Sequence, residues 1–163
     1  KWYGGITNTF NYKGIDLSIM LQSNSSNDIY KLTRLYATQT NTQRRNQLAE
    51  VADRWSPTNA SNKVPSYNGY VVNDVYSRFV EDGSFLRLKN VTLGYTLPHK
   101  WTRKFLVSKL RVYATGQNLF CLNNYSGYDP EVSTASKSPM TPGLDWGAYP
   151  KSKVFTFGVD IQF

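Results

Sequence analysis

The sequence predicts an all-β protein, a segment of the wall of an antiparallel transmembrane β-barrel with about five strands and two long extracellular loops. Three observations lead there. First, "KVFTFGVDIQF" (153–163) alternates, with Phe155, Phe157, Val159, Ile161 and Phe163 on one side and Val154, Thr156, Gly158, Asp160 and Gln162 on the other. Successive side chains of a strand point to opposite faces, so this strand has one oily and one largely polar face. A sheet on a soluble core shows that pattern, and so does a barrel strand placed between lipid and a water-filled lumen. Second, the joins between strands alternate, short at Lys13-Gly14, long over 23–82, short over 98–109 and long over 122–152. Barrels sort short periplasmic turns from longer extracellular loops in this way, whereas a soluble sandwich has no reason to. Third, an oily strand at the edge of an open sheet recruits other chains, and closing a barrel removes the edges.

Each strand has its own warrant. Residues 2–12 place Ile6, Phe10 and Tyr12 against Thr7, Thr9 and Asn11, and Lys13-Gly14 supplies a tight turn. Residues 15–22 alternate Ile15, Leu17, Ile19 and Leu21 with Asp16, Ser18, Met20 and Gln22, which completes a hairpin. The polar stretch that follows to about Asp82 is rich in Asn, Ser and Thr, and Asn46 to Trp55 has the spacing of a short amphipathic helix ended by Ser56-Pro57. A connection this long is expected to fold by itself. A third strand at 85–97 carries Val91, Leu93, Tyr95 and Leu97 in one phase but Leu86 and Leu88 in the other, which predicts a bulge near Lys89-Asn90 or a stretch beyond the membrane. The fourth strand, 110–120, sets Leu110, Val112 and Ala114 against Arg111, Tyr113, Thr115 and Gln117, and 153–163 is the fifth.

Charge and composition exclude several functions. The formal charge is +8, yet Lys and Arg are scattered with only short pairs such as Arg44-Arg45 and Arg103-Lys104, which argues against nucleic acid. No apolar run approaches the roughly 20 residues of a membrane helix, while a barrel strand needs only about 9–11. A single Cys121 forbids an intrachain disulfide, and the opening Lys1-Trp2-Tyr3-Gly4, with no initiator Met, reads as part of something longer. The one histidine, His99, lies in a short turn, so no catalytic triad is expected. Asp129 and Glu131, separated only by Pro130, read as turn-stabilising carboxylates rather than a glycosidase pair.

The runs "RFVEDGSFLRLKNVTLGYTLP" (78–98), "LRVYATGQNLF" (110–120), "YSGYDPEV" (125–132) and the terminal "FTFGVDIQF" closely resemble the C-terminal end of SusC/RagA-type TonB-dependent outer-membrane transporters. "WYGGITNTFNYKGIDLSIMLQ" and "DRWSPTN" resemble the matching upstream segments, so the likeness covers nearly all of residues 1–163 as the C-terminal portion of a receptor barrel. It implies the last strands of a barrel of about 22, and a bacterial nutrient importer rather than an enzyme. It also implies a plug domain and a TonB box outside this chain, coupling to TonB, ExbB and ExbD, and a SusD-like lipoprotein as lid. Two such transporter–lipoprotein pairs would form a dimer, with oligosaccharide or peptide as cargo and no cofactor or metal. Competing readings are a surface-binding or adhesion β-domain without transport, and a soluble carbohydrate-active sandwich.

Candidate residues follow from place and chemistry. Phe155, Phe157, Val159, Ile161 and Phe163 are expected to face membrane lipid. Tyr12, Tyr95, Trp101, Phe105 and Phe163 fall near the short-turn ends of strands, where amphipathic rings suit an interfacial girdle. Tyr125, Tyr128, Trp146 and Tyr149 lie in the last long loop, where flat rings stack on sugar faces or meet the lid.

Overall fold

The computed structural model describes residues 1–39, 46–67, 69, 74–131 and 143–163, and the side chain of Phe105 lies outside the described set. Two compact units emerge: Lys1–Asn27 with Gly83–Asn124 and Pro150–Phe163, and Asp28–Asp82 with Tyr125–Tyr149.

The first unit is a single antiparallel sheet. Its strands are β1 (Trp2–Tyr12) and β2 (Ile15–Ser25), then β5 (Phe85–Thr96), β6 (Lys109–Asn123) and β8 (Val154–Gln162), in the order β1-β2-β5-β6-β8. Lys13 and Gly14 both take positive φ, 47° and 87°, which gives the β1–β2 turn the twist a two-residue hairpin needs. The other short connection holds α2 (His99–Thr102) and a 3-10 turn, Arg103–Phe105. Ser108 donates both its backbone N–H and its hydroxyl to the Gln162 carbonyl, each at 2.8 Å, and ties this turn to the end of β8.

Register turns the alternation of single strands into continuous rows. On one face Tyr12, Ile15, Tyr95, Val112 and Val159 line up across all five strands, followed by Phe10, Leu17, Leu93, Ala114 and Phe157. The large Phe155 and Phe157 stand opposite the small Gly116 and Ala114. Leu86 and Leu88 join this same face, because the pairing slips by one residue at Lys89: Leu88 pairs with Leu21, and Asn90 with Met20. The bulge expected there therefore keeps the oily face continuous on both sides of it. Phe155, Phe157, Val159, Ile161 and Phe163 share this face and are all exposed, Phe157 by 79%. No second layer covers them among the described residues, unlike the sheet of a soluble sandwich.

The second unit has its own small sheet, ordered β4-β3-β7, with β3 (Asp28–Lys31), β4 (Val80–Asp82) and β7 (Leu144–Asp145), and a helix α1 (Leu32–Thr38). β3 pairs antiparallel with β4 and parallel with β7, so the two long connections are stitched into one fold. Its core is Leu35 and Phe79, with Tyr30, Leu32 and Tyr76 packed around them. Tyr30 and Tyr76 meet the Phe79 ring edge-on at 6.4 and 6.2 Å, the arrangement aromatic quadrupoles favour. The stretch expected as a short helix forms a 3-10 helix over Ala49–Asp53, which buries Val51.

Candidate functional site

Within the second unit a polar cluster joins β3, β4 and the segment after Asn124. Glu81 on β4 accepts hydrogen bonds from the Ser126 backbone N–H at 3.0 Å and from its hydroxyl at 2.6 Å. Lys31 on β3 donates to Ser126 Oγ, lies 3.6 Å from Glu81, and sits 5.5 Å from the centre of the Tyr125 ring. Arg34 on α1 binds Glu50 through two parallel hydrogen bonds of 3.0 and 2.9 Å. Burial is the largest single influence on Glu81 and acts upward. The two Ser126 hydrogen bonds with the charges of Lys31 and Arg34 outweigh it, so Glu81 is held below the usual carboxylate range. Glu50 is also held low, chiefly by its Arg34 hydrogen bonds.

Tyr125 is only 6% exposed and its hydroxyl donates to Asp145 on β7. Burial, and then this carboxylate, push the phenol far above its ordinary value. The other Asp145 oxygen accepts from the backbone N–H groups of Gly147 and Ala148, at 2.8 and 3.3 Å, which shapes the turn carrying Trp146. Tyr125 is thus part of the unit's interior. The other three aromatic candidates remain outward, with Tyr128 81%, Trp146 56% and Tyr149 87% exposed. The Trp146 ring lies 4.9 Å from that of Tyr36, tilted by 33°. A pocket of about 310 Å³ opens beside Tyr128, lined by Lys31, Thr33, Ser126, Gly127, Asp145 and Gly147. It offers hydroxyls, a cation and a flat ring, suited to a polar ligand with hydroxyl or amide groups. Asp129 accepts the Glu131 backbone N–H at 2.9 Å, a local turn contact.

In the first unit, the polar face of the sheet carries a second construction. Arg111 on β6 donates to both Asp16 oxygens on β2, at 2.9 and 2.6 Å, and to Asp160 on β8 at 3.0 Å. To reach Asp16 the guanidinium must pass over β5, and it does so at Gly94, where an added Cβ would lie 2.5 Å from Asp16 and 2.6 Å from Arg111. Above it a row of hydroxyls, Thr9, Ser18, Thr92, Thr115 and Thr156, crosses all five strands, and Thr92 and Thr115 are bonded at 2.9 Å. A sheet with one exposed oily face and one hydroxyl-bearing face has the two-sided pattern of a strand layer between hydrocarbon and water.

Sequence reading missed the cluster of Lys31, Glu81 and Ser126, whose members lie 45 to 95 residues apart, and the Arg111 network, whose longest bond spans 95. The nearest local signal is Asp145 two residues before Gly147, the pattern of an Asx turn.

No protein-family model matches the chain. Among curated proteins, TonB-dependent receptor P3 of Formosa agariphila is 34% identical over 98% of the chain, and TonB-dependent receptor SusC of Bacteroides thetaiotaomicron is 31% identical over the same share. The chain spans about one sixth of the length of each, 16% and 15%. Among solved structures, the RagAB peptide importer in its open-open state matches 99% of the chain and 17% of its own, with 25% identity and a TM-score of 0.77. The same importer in its closed-closed state gives a TM-score of 0.79 at 24% identity. The two-faced antiparallel sheet is accordingly wall of an outer-membrane β-barrel. Over 98% of its length the chain is similar to TonB-dependent receptors, SusC among them.

Proposed function

We propose that the receptor containing this chain imports an oligosaccharide across the outer membrane in a TonB-dependent step. The observation that carries this reading is the relation to TonB-dependent receptors, SusC among them, over 98% of the chain. Residues 1–163 form the C-terminal part of the barrel. Phe155, Phe157, Val159, Ile161 and Phe163 face lipid, and the hydroxyl row and Arg111 face the lumen. The folded unit of the two long connections lies outside the cell. Tyr128, Trp146 and Tyr149 are its contacts with cargo or with a SusD-like surface lipoprotein acting as lid, and Tyr125 holds their loop through Asp145. A plug and TonB box lie beyond these residues, and energy enters through TonB, ExbB and ExbD acting on the plug. The working assembly is a dimer of transporter–lipoprotein pairs.

A second reading, peptide cargo, is supported by the likeness to the RagAB peptide importer. Growth of a deletion strain on a panel of single glycans and peptides, with and without the neighbouring lipoprotein gene, separates the two. Loss of growth on one glycan, restored only when both genes return, is the expected result; loss confined to peptides selects the second reading, and unaltered growth on every source removes both.

A further inference from the structure

The positive charge that looks scattered along the chain is gathered by the fold. Of the eleven acidic side chains only Asp16 and Asp160 lie in the sheet unit, against eleven of the nineteen lysines and arginines. Both of those acids hold Arg111. Five of the remaining cations, Lys13, Lys100, Arg103, Lys104 and Lys109, are exposed in or beside the two short turns, and no acidic residue occurs in 12–15 or 97–109. Register brings these turns to one end of the sheet, since Thr96 N–H bonds the Gly14 carbonyl at 2.7 Å and Leu97 N–H bonds the Leu110 carbonyl at 2.8 Å. Apolar groups stand among the charges. Trp101 is 60% exposed and Leu106 88%, the latter lifted outward by a left-handed backbone at φ 59°. The Lys13 ammonium lies 5.2 Å from the centre of the exposed Tyr12 ring on the oily face.

We infer that this end of the sheet is a binding rim for anionic phospholipid headgroups, the lysines and arginines meeting phosphate while Trp101, Tyr12 and Leu106 enter the adjoining hydrocarbon. Cations interleaved with interfacial rings are the pattern by which proteins hold a negative lipid surface. A soluble anionic partner would find the charges but give no reason for Leu106 and Trp101 to be bare. The inference rests on the sidedness proposed above, by which these turns reach the periplasmic, phospholipid leaflet.

The test uses the intact receptor in detergent, titrated with phosphatidylglycerol, phosphatidylethanolamine or lipid A and read by native mass spectrometry. The wild type should retain phosphatidylglycerol at least about tenfold better than phosphatidylethanolamine, a preference that shrinks as salt rises and screening sets in. Replacing Lys100, Arg103 and Lys104 together by Gln should abolish the preference, and replacing Lys151 and Lys153 at the opposite end should leave it intact. Equal retention of the two phospholipids, or an unchanged preference in the triple variant, overturns the inference. A preference for lipid A that vanishes with Lys151→Gln and Lys153→Gln overturns the sidedness instead, whereas transport fails or persists independently of these outcomes. Should the triple variant not assemble, the salt response of the wild type decides alone: a preference unchanged by salt is not electrostatic and refutes the rim.

Discussion

Gly94 offers the sharpest test of how the sheet is locked. Its missing side chain is the gap through which Arg111 crosses β5 to the Asp16 carboxylate, and a Cβ there would stand 2.5–2.6 Å from atoms of both partners. Real Cβ atoms do not approach so closely, so Gly94→Ala must push apart the guanidinium and the carboxylate that meet there. The pair is about a quarter exposed on each side, 22% and 26%, so solvent screens it and its full buried value does not apply. Losing two charge-assisted hydrogen bonds at that exposure costs about 1–2 kcal/mol, and crowding brings the total to about 2 kcal/mol. In an Arg111→Met background the bond is already lost and the Asp16 carboxylate, no longer held, can swing aside, so the same substitution should cost less than about 0.5 kcal/mol. Denaturant midpoints of the intact receptor in detergent, followed by the shift between folded and unfolded bands on cold electrophoresis, give all four corners of the cycle. Additive costs would refute the idea that Gly94 is there to let Arg111 pass.

Three further outcomes are expected. Phe157→Arg or Ile161→Arg should impair assembly by about 2–4 kcal/mol if the site lies near the bilayer midplane, read as loss of the folded band, and a cysteine at either position should resist a water-soluble maleimide. Tyr125→Phe removes a donor from the buried Asp145 and should loosen the loop unit by about 1–3 kcal/mol, seen as faster cleavage by added protease in whole cells. Glu81 and Glu50 are both held below their ordinary value of 4.5, so the stability they contribute is present above that value and is lost as pH falls through the lowered one; protease protection of 28–82 should therefore hold at neutral pH and collapse only below about 4.5, and protection that declines already between pH 7 and 6 would contradict the sign.

The sheet was legible because its information is local. Period-two alternation in 15–22 and 153–163 needs only neighbouring residues, and a mismatch of phase between Leu88 and Val91 is itself the signature of a bulge, which register then places at Lys89. Strand ends were less legible: β2 runs on to Ser25 and β6 to Asn123, because backbone pairing with Trp2 and with Phe85 continues past the point where side-chain alternation fades. The second unit was opaque for the opposite reason. Its sheet joins residues 28–31 to 80–82 and 144–145, pieces of two to four residues too short to carry a period. Tyr125 illustrates the limit, since nothing in "YSGYDPEV" separates it from Tyr128, yet one ring is buried over Lys31 and the other is bare.

Charge follows the same division between what is local and what register assembles. Read along the chain, Lys13, Lys100, Arg103, Lys104 and Lys109 are isolated or paired residues of ordinary surface. Antiparallel pairing of β1 to β2 and of β5 to β6 folds their turns onto a single end, while the unit's acids are drawn into the wall by Arg111. In a wall with lipid on one side, a cation avoids hydrocarbon on the polar face, where Arg111 lies, or at a rim. A rim concentrates like charges that repel one another, a standing cost unless something negative lies against them. Phosphate headgroups at the membrane surface supply that counter-charge where the oily face ends, which makes the basic turns and the greasy strands above them parts of the same adaptation to a bilayer.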